Sequence, residues 1–217
     1  MSPLKIKAIL TGILLWLVIF SVAMWDLSLL AQQFTNWGAL VTCIQVSLSF
    51  YCSTDLEISK KRTVLALHHF LFQVITPMNL LIFTVYWVML SESVVAGYKA
   101  KGESLNVLHS YWVHTAPILA NLVNFLITDI AFKPMHVLFT FPIGIGYSYI
   151  NYSSTISTGK PVYWFLDWKD ITSPLIMTGF TFGCVFFYLF MCWLTSKARA
   201  LRPRPPLNDN TIYKKSQ

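Results

Sequence analysis

Charge is what this chain has least of. Only 12% of its 217 residues are Asp, Glu, Lys or Arg, and the mean hydropathy is +0.57. A soluble domain of this size needs more charge to cover its surface, so a soluble globular protein is excluded. Several chemical signatures are missing as well. The four cysteines form no CxxC pair, and Cys43, Cys52, Cys184 and Cys192 all fall inside apolar stretches, where a thiol behaves as a small hydrophobe. The five histidines include no HxxxH spacing, so His68, His69 and His136 do not suggest a metal centre, and no cofactor is expected. GxSxG and GxxxxGK are absent, which removes the serine-hydrolase elbow and the phosphate-binding loop. The apolar runs do not alternate with polar residues, so a membrane β-barrel is not expected.

What is present is hydrophobic length: 55% of residues are hydrophobic and 16% aromatic. A bilayer core requires about 20 apolar residues per helix. Six stretches meet or approach that length, at roughly 8–30, 37–53, 64–90, 108–130, 135–156 and 172–195. The expected fold is an all-α polytopic bundle of six transmembrane helices over residues 1–196, followed by a basic, proline-rich tail at 197–217. That tail has too few apolar residues to pack, which predicts extended or disordered chain.

The net charge of +7 is distributed by side. If the first stretch starts inside, the inner segments carry Lys5, Lys7, Lys60, Lys61, Arg62, Lys133 and six basic residues from Lys197 onward, while the outer segments carry Lys99, Lys101, Lys160 and Lys169. The positive-inside rule then places both termini in the cytosol. The charges serve as topology signals, and no nucleic-acid partner is expected. Lys5, Lys7, a short apolar core and "SVA" at 21–23 resemble a cleaved signal peptide, but the apolar run continues to Leu30 and favours a retained first span. Lys214-Lys215-Ser216-Gln217 resembles a dilysine retrieval signal, which points to the endoplasmic reticulum, with the plasma membrane as the alternative. "GFTFG" at 179–183 marks a close helix contact. "NYS" at 151–153 is a sequon too near the membrane to predict glycosylation.

Polar groups inside spans are functional candidates. In the fourth stretch His114, Asn121, Asn124 and Thr128 fall on one side of a helix. In the second, Thr42, Gln45, Ser49 and Cys52 do the same. Two such seams can simply hydrogen-bond to each other and hold a bundle together. Pro117 removes the helical donor to the Val113 carbonyl beside His114. Counting from Trp37 and Leu108 places Thr42 and His114 at one depth, roughly 8–9 Å below the outer interface at ~1.5 Å per residue. A histidine there favours its neutral form, which is the form a general base needs.

Three stretches carry a family resemblance. "LVTCIQVSLSFYC" (40–52), "VHTAPILANLVNFLI" (113–127) and "STGKPVYWFLDW" (157–168) resemble elements of the androgen-induced and androgen-dependent TFPI-regulating membrane proteins, with rolling-stone proteins more distant. The likeness is diffuse and spans about residues 5–195. Members of that family hydrolyse fatty acid esters of hydroxy fatty acids with a threonine and a histidine. The resemblance implies Thr42 as nucleophile and His114 as base, with a lipid ester as substrate. An oxyanion formed there needs a donor, for which Gln45, Asn121 or a freed backbone N–H are the candidates. Trp164 stands where the family usually has proline, and asparagines occupy the seam where a carboxylate can occur. Two other classes remain open: a non-catalytic membrane subunit of a larger complex, and a lipid-binding or transport protein. The sequence indicates no specific protein partner.

Overall fold

The computed structural model describes residues 1–54, 62–128 and 130–201. The basic pair at 60–61 and the tail from 202, with its dilysine at 214–215, lie outside the described residues. Those described form helices and connecting turns without a strand. In chain order they are α1 (Pro3–Met24), the short α2 (Leu27–Gln32), α3 (Phe34–Thr54), α4 (Arg62–Val85), α5 (Ser91–Ala100), α6 (Ser104–Ile127), α7 (Thr140–Thr158) and α8 (Thr172–Leu201). A π-helical turn, Tyr86–Leu90, joins α4 to α5, and a 3₁₀ segment, Pro134–Phe139, leads into α7.

Among the described residues, three helical segments are long and apolar enough to cross a bilayer: Pro3–Met24, the continuous α4–π–α5 unit Arg62–Ala100, and Thr172–Ala198. Large apolar side chains face outward on most helices, including Trp16, Ile19, Val88, Leu126, Ile145 and Phe186. In water such a surface would aggregate, whereas in lipid it is the expected exterior. The chain is therefore an integral membrane protein.

Helix boundaries depart from the hydropathy reading in three places. The first helix stops at Met24 because Trp25 turns extended, and Asp26 then begins α2. The third runs ten residues further than hydropathy suggests, to Ala100, because the π turn lets the helix continue. The fifth starts later, at Thr140, because Pro134 opens a 3₁₀ turn first.

Polar contacts and small residues do much of the packing, as expected where lipid tails compete with apolar side chains. Ser49 on α3 donates to the Asn124 side-chain oxygen on α6 at 2.9 Å, and Thr128 donates to the same oxygen. The two seams thus meet at this level as interhelical glue. Lys7 on α1 is buried, with its ammonium donating to the Ser53 hydroxyl at 2.8 Å and to the Ser49 carbonyl at 3.4 Å. On α4, Gln73 ties three elements: its Oε1 accepts from the Lys133 backbone N–H at 2.7 Å and from Tyr188 of α8 at 3.1 Å. At "GFTFG" the close contact is one-sided. A Cβ on Gly183 would lie 3.1 Å from Leu81, while Gly179 faces open space.

Candidate functional site

Thr42 is fully buried where α3 and α4 approach most closely. Its hydroxyl donates to the Gly38 carbonyl at 2.6 Å and accepts from the Asn79 amide at 2.7 Å. A Cβ on Gly38 would sit 2.6 Å from Asn79 Oδ1 and 2.8 Å from Ile82, so Gly38 is what lets the two helices meet. No hydrogen bond joins Thr42 to His114. The pairing expected from depth counting is corrected: the threonine bonded to His114 is Thr35, seven residues earlier on the same helix. Thr35 Oγ1 lies 3.0 Å from His114 Nε2.

The reason is stagger. Thr35 is the second residue of α3, whereas His114 is ten residues into α6. At ~1.5 Å per residue, α6 extends about 13 Å beyond the start of α3. Depth counted from each helix's own entry point therefore compares unequal levels.

The hydrogen bonds around the imidazole fix its tautomer. His114 Nδ1 lies 2.7 Å from the Ser110 carbonyl oxygen, one turn earlier. A carbonyl can only accept, so Nδ1 carries the proton. Nε2 then presents its lone pair, and the Thr35 hydroxyl donates to it. The Ser110 carbonyl stands where a catalytic triad places a carboxylate. Tyr86, from the π turn, stacks flat on the ring with centroids 3.7 Å apart and planes 9° apart. The Tyr86 phenol is 2.9 Å from the Ser110 hydroxyl. The ring is thus held at its edge by a carbonyl and at its face by an aromatic.

The pair sits between two cavities. One, with a cavity volume of about 60 Å³, is walled by apolar side chains of α4, α7 and α8, among them Met78, Ile82, Ile143, Met177, Phe180 and Cys184. The other, about 190 Å³, is more polar and includes Gln33, Asn36, Ser93, Tyr98, His109 and Ser110 in its lining. Thr35, Tyr86, Leu90, His114 and Tyr163 line both. The arrangement sets apolar walls on one side of a hydroxyl–imidazole pair and more polar walls on the other.

Gln45 and Asn121, the expected oxyanion donors, are fully buried but line neither cavity. Their amide atoms have no hydrogen-bond partner among the described residues. They lie along the seam and not at the His114 pair. Sequence reasoning missed Thr35, Tyr86, Ser110, His109 and Tyr163. Ser110 was legible in principle, being four residues before His114 on the same helical face. His109 bonds Ser21 of α1, with Nε2 to Oγ at 2.9 Å, and nothing in the sequence signals that contact. No family model, curated protein or solved structure matches the chain.

Proposed function

We propose that the protein is a membrane-embedded hydrolase of lipid esters in which Thr35 is the nucleophile and His114 the general base. The observation that carries this reading is the donor order at His114. The Ser110 carbonyl keeps the proton on Nδ1, and Nε2 accepts from Thr35, the alignment that activates a weak hydroxyl nucleophile. The family resemblance supplies the substrate class, a fatty acid ester of a hydroxy fatty acid. The resemblance placed the nucleophile at Thr42, and the hydrogen bonding favours Thr35.

In this mechanism the acyl arm lies in the apolar chamber, with the ester carbonyl beside Thr35. His114 Nε2 takes the hydroxyl proton as Thr35 Oγ1 bonds to the carbonyl carbon, whose π electrons move to oxygen. The tetrahedral species collapses, the C–O bond to the alcohol breaks, and the leaving oxygen takes the proton from His114. Water from the polar vestibule then attacks the acyl-threonine. His114 accepts the water proton and returns it to Thr35 as the acid departs.

The same reading takes the chain to be a six-span protein with both termini in the cytosol and residence in the endoplasmic reticulum. The charge distribution supports that orientation. The apolar chamber also favours a second reading, a lipid carrier without chemistry.

Labelling by a long-chain fluorophosphonate separates the two readings. Purified protein is expected to label on Thr35. Thr35→Ala and His114→Gln are expected to lose labelling and at least about a thousandfold in ester turnover. Neither labelling nor turnover in the parent protein would leave the carrier reading in place, and turnover retained in both folded variants would remove Thr35 and His114 from the chemistry. Labelling abolished by Thr42→Ala and untouched by Thr35→Ala would move the nucleophile.

A further inference from the structure

We propose that Tyr163, in the loop between α7 and α8, donates the hydrogen bond that stabilises the oxyanion formed when Thr35 attacks. The inference rests on the hydrolase reading and adds a catalytic residue to it. A tetrahedral intermediate places a full negative charge on what was the carbonyl oxygen. A low-dielectric site must meet that charge with a fixed donor. The donors named from sequence, Gln45 and Asn121, are away from both cavities. The Tyr86 phenol lines them but is engaged with Ser110.

Tyr163 has the required position. It lines the apolar chamber and the polar vestibule, as the reacting pair does. Its phenol is a neighbour of the Thr35 side chain, the Phe34 main chain and the Tyr147 phenol. A donor beside the nucleophilic oxygen is near where the oxyanion, two bonds from it through the former carbonyl carbon, would stand. Burial pushes the Tyr163 phenol above its ordinary value, so the proton stays on the oxygen at neutral pH and remains available to donate.

The loop that carries Tyr163 is held at several points. Leu166 is buried against Tyr147 and Met177, and its N–H donates to the Tyr163 carbonyl at 2.9 Å. The Trp168 indole donates to Asn151 at 2.7 Å, and the Trp168 backbone N–H donates to the Ser173 hydroxyl at 2.9 Å. The Tyr163 ring stacks on Phe165, with centroids 5.6 Å apart. A donor fixed before the reaction needs no reorganisation during it, which is the condition for this kind of stabilisation.

The test compares transition-state and ground-state ligands. In Tyr163→Phe, turnover is expected to fall about a hundredfold to a thousandfold with KM nearly unchanged. Affinity for a long-chain trifluoromethyl ketone, which forms an oxyanion on Thr35, is expected to fall by a similar factor. Affinity for the matching non-hydrolysable ether is expected to stay constant. Fluorotyrosine at position 163 preserves the shape and acidifies the phenol, so the alkaline limb of the rate profile is expected to move to lower pH. Turnover within twofold of the parent, equal weakening of ketone and ether, or an unmoved alkaline limb would each overturn the assignment. If Thr35→Ala is inactive while Tyr163→Phe is fully active, the hydrolase reading survives and only the role of Tyr163 falls. An active Thr35→Ala would remove both.

Discussion

Two threonines on one helix illustrate how little residue type says about role. Thr42 and Thr35 are separated by seven residues, two helical turns, and both are buried and hydrogen-bonded. Thr42 bonds a main-chain carbonyl and a buried amide at a helix contact, whereas Thr35 bonds an imidazole at a cavity wall. Thr42→Ala is expected to leave the Asn79 amide unpaired in the bundle and to cost about 1–3 kcal/mol of stability. Thermal unfolding in detergent should show a lowered midpoint, while ester turnover per folded molecule stays at the parent level. His114 was legible from sequence because an ionisable ring inside an apolar run has few roles. Its partner was not, because identifying it requires the relative stagger of two helices, and no residue on either one records that offset.

Elements were legible where hydropathy decides them and illegible where a single turn does. The apolar runs near 8–30, 64–90 and 172–195 correspond to the helical segments that meet the length and hydropathy needed to cross a bilayer. Their ends were set by Asp26, by the π turn and, further along the chain, by Pro134, each a local event that a window of apolar residues averages away. The π turn has the largest consequence for the site. A π turn behaves as one extra residue within an α-helix and often marks a functional position. Here it spans Tyr86–Leu90 and supplies two residues that line both cavities. Val88 within it is 77% exposed, so deleting it removes no core packing. The deletion is expected to restore a regular α-helix and rotate one half of the segment against the other by about 100°. That rotation would part Tyr86 from the His114 ring. Helical content by circular dichroism should persist while fluorophosphonate labelling and turnover fall together.

For the molecule as a whole, the membrane class followed from composition, because 12% charge admits few other surfaces, and the helical class from apolar runs that do not alternate. Orientation is a separate question, carried by which loops hold the basic residues. In a variant with the four native cysteines replaced by alanine, a single introduced cysteine is expected to react with a membrane-impermeant maleimide only from the side on which it lies. Lys160→Cys should label from the non-cytosolic face and Ser2→Cys from the cytosolic face, read in sealed right-side-out cells and in inverted microsomes. The opposite pattern would invert the bundle. The cavities were not legible, because the apolar one is walled by α4, α7 and α8 and the polar one by α3, α5, α6 and the loop before α8, segments far apart in the chain whose meeting no periodicity encodes.

The junction at Thr35 and His114 separates two chambers of unlike lining, and under the proposed hydrolase reading this bears on the fate of the products. For the proposed substrate both fragments are long-chain acids, so each would leave with its chain in lipid and its carboxylate toward the polar side. Net flux should then respond to how much lipid is on hand to dissolve them. Enlarging the micelle or bilayer reservoir at constant enzyme would draw the reaction forward without any change in the protein.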